Sequence, residues 1–322
     1  MMSPLPDHLV IASRGSRLAL AQAERVAGRV RSMHPEINVK ISTVTTTGDR
    51  DQRAFAQIGG KGLFTSEVER EVAEGRADVA IHSAKDLTAE LAAGCHIVCV
   101  PERVSPLDVV VGGTGDTGEE RLETLPTGAT VGTSSMRRRA LLAELRPDLE
   151  VVEFRGNLDT RLRKVAEGQV AAAILAGAGI ERLGADVEAP SLDPHRWVPA
   201  PSQGALAVEA LEARVDLTEL FAGLEDASAR AEIDCERAFA AHLEGGCSVP
   251  LGCLARAEDD RLVVTGLLAH PEGGQSICDR ISGRLIEAVQ LGHELADALL
   301  HSGGDDILAD IRALEAPQVV EP

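Results

Sequence analysis

His34-Pro35-Glu36-Ile37-Asn38-Val39 and Arg146-Pro147-Asp148-Leu149-Glu150-Val151 share one pattern, and both join a helix to a strand. Around the first, residues 8–13 read as a strand, 17–32 as an amphipathic helix and 37–46 as a strand. Around the second, 129–133 reads as a strand, 135–145 as a helix and 150–155 as a strand, with Thr133, Ser134 and Ser135 available as helix caps. Each unit is then extended: a helix at about 63–74 and a strand at 77–83 follow the first, a helix at 158–167 and a strand at 171–175 the second. Such alternation predicts an α/β fold with a largely parallel sheet. Its recurrence predicts two similar lobes, with insertions in the first.

From about residue 225 the texture changes. A helix at 226–243 precedes strand-like runs at 248–256, 262–269 and 276–282, and a helix at 285–301 closes the set. Strands in succession flanked by helices predict a small α+β domain with an antiparallel sheet. The Gly-rich stretch 112–118 and the Pro-rich stretch 190–201 read as loops.

At 322 residues the chain is long enough for two or three domains. Lys and Arg number 32 against 51 Asp and Glu, a net charge of −19. That balance, with five Phe, one Trp and no Tyr, disfavours a nucleic-acid binder, which needs a basic face and stacking platforms. No apolar run approaches the ~18 residues of a membrane span. Met1-Met2-Ser3-Pro4-Leu5-Pro6-Asp7 lacks the basic and apolar regions of a signal peptide, so a cytoplasmic protein is expected. Six cysteines are too few for a disulfide scaffold. Cys95 and Cys99 have no second Cys/His pair at zinc-like spacing, so they read as core thiols and no metal is expected.

Two glycine motifs are decoys. Gly113-Thr114-Gly115-Asp116-Thr117-Gly118 fits a dinucleotide fingerprint, but its acids would face the phosphates and Pro126 leaves room for barely two helical turns. It reads as a surface turn. Gly59-Gly60-Lys61-Gly62 lacks the spacing and trailing hydroxyl of a P-loop.

The chemistry lies elsewhere. Between Arg137 and Lys164 eight cations face five carboxylates, a local balance of +3 in an acidic chain. Arg137 and Arg138 fall in a helix's first turn, where cations oppose the helix dipole. Arg155 is expected to end a strand and Arg161 to open the next helix. Arginines at helix starts and strand ends describe an anion site in an open α/β sheet. The first lobe offers Ser13-Arg14-Gly15-Ser16-Arg17, the Lys61 loop and His82-Ser83-Ala84-Lys85-Asp86, with Asp86 the one carboxylate expected in a cationic crevice between the lobes. Arg163 and Lys164 are expected to face solvent. Glu244-Gly245-Gly246-Cys247-Ser248-Val249-Pro250 places a thiol on a tight loop.

Together these ordered motifs, with Gly132-Thr133-Ser134-Ser135-Met136-Arg137-Arg138 and Arg155-Gly156-Asn157, closely resemble the porphobilinogen deaminase (hydroxymethylbilane synthase) family of tetrapyrrole biosynthesis. The resemblance runs from about Ile11 to the Cys247 loop and more weakly beyond. It implies two lobes resembling type II solute-binding domains plus a C-terminal domain. Residues 1–103 and 203–222 would form a discontinuous first lobe, 104–202 the second and 223–322 the third. It implies head-to-tail joining of four porphobilinogen molecules with loss of ammonia, on a dipyrromethane primer attached through a thioether to Cys247. Asp86 takes the place of the family's catalytic aspartate. Arg14, Ser16, Lys61, Lys85, Ser135, Arg137, Arg138, Arg155, Arg161 and Gln203 take those of cofactor and substrate ligands. A monomer is implied, with no nucleic-acid or membrane partner. The chain departs from the family pattern at Thr88, Ser202 and Leu107, where Pro, Gly and Arg are usual. The alternative is a two-lobed, non-catalytic binder of small anions, which would leave the third domain and the thiol loop without a purpose.

Overall fold

The computed structural model describes residues 5–47, 62, 65–244 and 249–315. β1 (His8–Arg14) feeds α1 (Arg17–Met33), whose buried residues Ala19, Ala23, Val26, Ala27 and Val30 recur at helical spacing and form one core-facing stripe. β2 (Asn38–Val44) then pairs parallel with β1. After α2 (Ser66–Ala73), β3 (Val79–Ser83) pairs parallel with the other side of β1. β4 (Cys95–Cys99) completes this part of the chain.

The second unit runs β5 (Asp108–Gly112), α3 (Gly118–Glu123), β6 (Thr130–Gly132), α4 (Met136–Leu145), β7 (Glu150–Val152), α5 (Leu158–Ala166), β8 (Ala172–Ala176) and α6 (Gly177–Leu183). β9 (Leu206–Leu211) returns to the first sheet, which has the order β2-β1-β3-β9-β4; the second has β5-β8-β6-β7. In the first sheet β2, β1, β3 and β4 run one way and β9 the other; in the second β8, β6 and β7 run one way and β5 the other. The two antiparallel strands follow the two crossings between the sheets, at 100–107 and 199–205. The echo between residues 34–39 and 146–151 is thus the same turn in equivalent units.

After α7 (Val215–Phe221), α8 (Ala227–His242) packs on an antiparallel sheet of β10 (Leu251–Glu258), β11 (Arg261–Ala269) and β12 (Ser276–Arg284). α9 (Ala288–Leu299) lies beside α8 so closely that a Cβ on Gly292 would sit 2.3 Å from the Cys235 carbonyl oxygen. Phe239, Leu262, Leu295 and Leu299 fill this core. Among the described residues, no helix is long and apolar enough to cross a membrane.

The α/β lobes and the antiparallel third unit match the expected fold class. Local differences have physical causes. The closing helix ends at Leu299, because Gly303 adopts φ 106° and turns the chain into α10 (Asp305–Glu315), an element beyond those the sequence pattern marks. β7 stops at Val152, so Arg155 stands in a loop rather than at a strand end. The Gly113–Gly118 motif feeds only the six-residue α3, closed by a Thr117–Glu120 capping box.

A buried ion cluster joins the third unit to the crossings. Arg103 reaches Glu232 at 2.9 Å and Glu236 at 2.8 Å, and its Nε donates to the Gln203 carbonyl at 3.0 Å. Glu236, fully buried, also accepts the backbone N–H groups of Ser202 and Ala255. Removing one partner of such a pair strands the other. Glu236→Gln is therefore expected to cost about 3–5 kcal/mol, read as a lower denaturation midpoint of the purified protein.

Candidate functional site

Equivalent turns begin the site in both lobes. β1 ends at Arg14, and Ser16 caps α1 by accepting the Ala19 N–H at 3.3 Å. β6 ends at Gly132, and Ser135 caps α4 by accepting the Arg138 N–H at 3.4 Å. Both hydroxyls satisfy helix donors that would otherwise lack partners. The Ser135 cap sets Arg137 and Arg138 as the second and third residues of α4, pointing into the protein at 4% and 6% exposure.

These two arginines meet a carboxylate that sequence reading missed. Asp108, first residue of β5 and 1% exposed, accepts from Arg137 Nη2 and Arg138 Nη2, each at 2.7 Å. Trp197 Nε1 donates to it at 2.7 Å and Gln203 Nε2 at 2.8 Å. Burial alone would raise its pKa, but Arg137, Arg138 and the hydrogen bonds outweigh that and hold the carboxyl far below the usual range. Arg137 Nη1 donates to the Val198 carbonyl at 2.8 Å and Arg138 Nη1 to that of Ile174 at 2.7 Å. Among the described residues, the Nε–H of each has no partner. An acid heading the apolar run Val109-Val110-Val111 was the available signal: a charge there needs buried partners.

Across the junction, Lys85 and Asp86 form a short 3-10 turn directly after β3. Lys85 Nζ donates to Gln203 Oε1 at 3.1 Å, and Arg138 Nη2 lies 3.5 Å from the same oxygen. Lys85 is an exposed residue whose Nζ turns onto the Gln203 side chain. Desolvation there is the main cause lowering its pKa to about 8; Asp86 and Asp108 oppose the shift, and Arg138 and Arg137 add to it. Asp86 is half-buried, and among the described residues its carboxylate takes no hydrogen bond or ion pair. It is not the one acid at the junction, however, since Asp108 and Glu153 share it.

Arg161 is half-buried with its Nε–H unpartnered, and burial, then Arg138, lowers its pKa to about 10. Asp86 and Glu153 oppose that shift. Arg155 Nε donates to Glu153 at 2.9 Å. Arg163 is exposed and pairs with Glu167. Lys164 is not merely solvent-facing: it donates to the Arg155 carbonyl at 3.1 Å and lies 5.6 Å from the Phe154 ring centre. Arg17 of α1 and Asp159 of α5 pair across the lobes at 2.8 Å. Sequence reading also missed Arg182, which holds the Gly204 carbonyl at 2.7 Å.

The structure therefore brings Lys85, Asp86, Arg137, Arg138, Arg161 and Gln203 together. Gln203, only 1% exposed, spends its amide on Asp108, Lys85 and the Pro106 carbonyl. Lys61 and Cys247 lie outside the described residues. Of the other cysteines, burial pushes Cys95 up to about 12 and raises Cys99, Cys235 and Cys253, leaving them poor thiolates. Cys278 is exposed on β12.

The comparisons with known proteins decide the family. A model described as "Porphobilinogen deaminase, dipyromethane cofactor binding domain" matches residues 9–219, and the C-terminal domain of the same family matches 230–301. The chain belongs to the porphobilinogen deaminase family. The porphobilinogen deaminase of Nitratidesulfovibrio vulgaris Hildenborough is 41% identical over 312 residues, covering 95% of this chain and 97% of its own. That of Methylobacillus flagellatus is 43% identical over 306 residues, covering 94% and 97%. That of a Roseiflexus species is 43% identical over 303 residues, covering 94% and 98%. The residues present suit the dipyrromethane cofactor of this family. Arg137, Arg138 and Arg161 keep buried Nε–H donors without partners among the described residues, and a buried donor left unpaired is costly unless a ligand completes it.

The lowered pKa of Lys85 sets a pH window. An ordinary lysine stays charged up to about 10.5, whereas this one loses its proton as pH rises through about 8. The folded chain then binds fewer protons than the unfolded chain, so this group makes stability rise across that interval. The Lys85 carbon-13 ε resonance, assigned by its loss in Lys85→Arg, is expected to titrate with a midpoint near 8; a midpoint near 10.5 would exclude the desolvated position.

Proposed function

We propose that the chain joins four porphobilinogen molecules head to tail, with loss of ammonia at each step, and releases hydroxymethylbilane. The observation that carries this reading is the Asp86 carboxylate, without a hydrogen bond or ion pair among the described residues, beside Arg137, Arg138 and Arg161, whose Nε–H groups no described residue accepts. A non-catalytic anion binder has no use for a free carboxylate among its arginines, because it would repel the ligand.

The dipyrromethane group, attached through Cys247, supplies the pyrrole end to which each unit is joined. Everything else falls to the chain. Porphobilinogen carries an acetate and a propionate, so Arg137, Arg138 and Arg161 offer Nε–H donors to carboxylates, and Lys85 adds a mobile charge. Charge-assisted contacts of this kind are worth roughly 1.5–3 kcal/mol each. Arg14, Arg155 and Lys61 extend the cationic set. Ser16 and Ser135 act through their caps, which aim the first turns of α1 and α4 at the junction. Departure of ammonia from porphobilinogen leaves a cationic pyrrole, and Asp86 is the negative charge placed to stabilise it. The same carboxylate can accept pyrrole N–H groups and so align the rings. Gln203 serves from within the protein, fixing Lys85 against Asp108.

The division into a discontinuous first lobe at 1–103 and 203–222, a second at 104–202 and a third at 223–322 belongs to this reading. It is supported by the return of β9 to the first sheet. A cytoplasmic location and a monomeric state, without nucleic-acid or membrane partners, belong to it as well.

Asp86→Asn is expected to retain its primer and lose ~10²-fold or more in turnover; near-normal turnover removes Asp86 from the chemistry. The protein as isolated is expected to be heavier than its sequence by two linked pyrrole units, resistant to thiol reductants and located on the Cys247 peptide. Cys247→Ser should show the bare mass and no tetrapyrrole, since a serine hydroxyl is a far weaker nucleophile than a thiolate. An adduct on Cys235 or Cys253 would overturn the assignment, and an unmodified but active wild-type protein would overturn the reading as a whole.

A further inference from the structure

We propose that Asp108 is a positioning residue for this reaction: it holds the Nη2 groups of Arg137 and Arg138 so that their Nε–H donors are what the ligand's carboxylates meet. The inference rests on the proposed function and deepens it.

Each guanidinium is held at two places. Arg137 gives Nη1 to the Val198 carbonyl and Nη2 to Asp108 Oδ2; Arg138 gives Nη1 to the Ile174 carbonyl and Nη2 to Asp108 Oδ1. A carboxylate prefers to take a guanidinium two bonds at a time. With Asp108 on one side, the donors left to each guanidinium are its buried Nε–H, which no described residue satisfies, and the second hydrogens of Nη1 and Nη2. Asp108 is itself pinned by Trp197 Nε1 at 2.7 Å and Gln203 Nε2 at 2.8 Å, and Trp197 is 1% exposed. The anchor is therefore rigid, and rigidity in supporting groups is what holds a reacting centre to geometry.

Asp108 also trims charge. Arg137, Arg138 and Lys85 together would oppose any positive charge developing beside Asp86, and a second, buried carboxylate offsets one of them. Without it the arginines would be free to rotate and take a ligand carboxylate in bidentate fashion. Binding would persist while the ring moved away from Asp86. The signature is a fall in kcat without a rise in KM.

The experiment compares wild-type protein with Asp108→Asn, Asp108→Glu and Asp108→Ala, with rates expressed per cofactor-loaded enzyme from intact mass. Asp108→Asn is expected to lose about tenfold or more in kcat while KM for porphobilinogen stays level or falls, and Asp108→Glu to recover part of the loss. In Asp108→Ala, sodium formate should raise both the thermal midpoint and kcat, whereas sodium chloride at equal ionic strength should raise neither. Formate restoring the midpoint but not kcat, or having no effect on either, overturns positioning, as does an Asp108→Asn protein of lower midpoint with unchanged kcat and KM. Should the Asp108 variants fail to fold, Trp197→Phe removes one donor and leaves the charge. A several-fold lower kcat at constant KM supports the proposal, and an unchanged kcat overturns it. Failure of the functional reading itself is seen separately, as a wild-type protein that forms no hydroxymethylbilane.

Discussion

A single buried carboxylate organises the centre of this molecule. Asp108 gathers two guanidiniums, an indole N–H and a side-chain amide within 2.8 Å, drawn from α4 and from the stretch between α6 and β9. Isolated, such a charge would cost several kcal/mol in lost hydration. Here two arginines and two neutral donors replace the water, and the desolvation of the arginines is offset in turn. Loss of Asp108 itself would strand both guanidiniums at once. The position of α4 is therefore set by electrostatics as well as by apolar packing.

Gln203 carries that constraint outward. Its side chain touches Asp108, Lys85 and the Pro106 carbonyl, and its backbone carbonyl accepts from Arg103. Arg103 is held by Glu232 and Glu236 of α8. One residue between the sheets thus joins the anion-binding arginines, the Lys85–Asp86 turn and the third unit. Ser202, just before it, adopts φ 63°, a left-handed conformation that costs a β-carbon residue free energy. The usual family residue there is Gly, and this geometry gives the reason. The strain is accepted where the backbone N–H of Ser202 must reach Glu236.

The lobes were legible because their signals are local: a helix stripe, a capping serine and a repeated Pro-acid turn each lie within a few residues. The placement of Arg137 and Arg138 in a first turn followed from the run Thr133-Ser134-Ser135, any of which could cap; the structure gives the cap to Ser135. What they hold did not, because Asp108 lies 29 and 30 residues away and meets them only through the pairing of β5 with β8. Arg155 was misplaced because β7 has only three residues, too few for an alternation to mark its end. α10 was missed although His301-Ser302-Gly303-Gly304-Asp305 is a polar, glycine-bearing break of the kind that separates two helices. Gln203, matched by resemblance as a ligand, turns out to be buried in the frame.

The charge distribution completes the account. A net charge of −19 should repel a substrate bearing two carboxylates, yet at physiological ionic strength that repulsion is screened beyond about 8 Å. Inside the junction screening is weak, so the local excess of arginine decides whether the anion stays. The excess cannot simply be maximised. A pocket with no acid would bind carboxylates tightly but oppose the positive charge that forms when ammonia leaves. In the proposed function Asp86, half-buried, is the carboxylate that answers the cation. Asp108 is sealed behind the arginines, where it limits and aims the field that holds the anions. Their burial differs for that reason, since a carboxylate that must meet a reacting ring has to remain unpaired, and one that orients arginines must not.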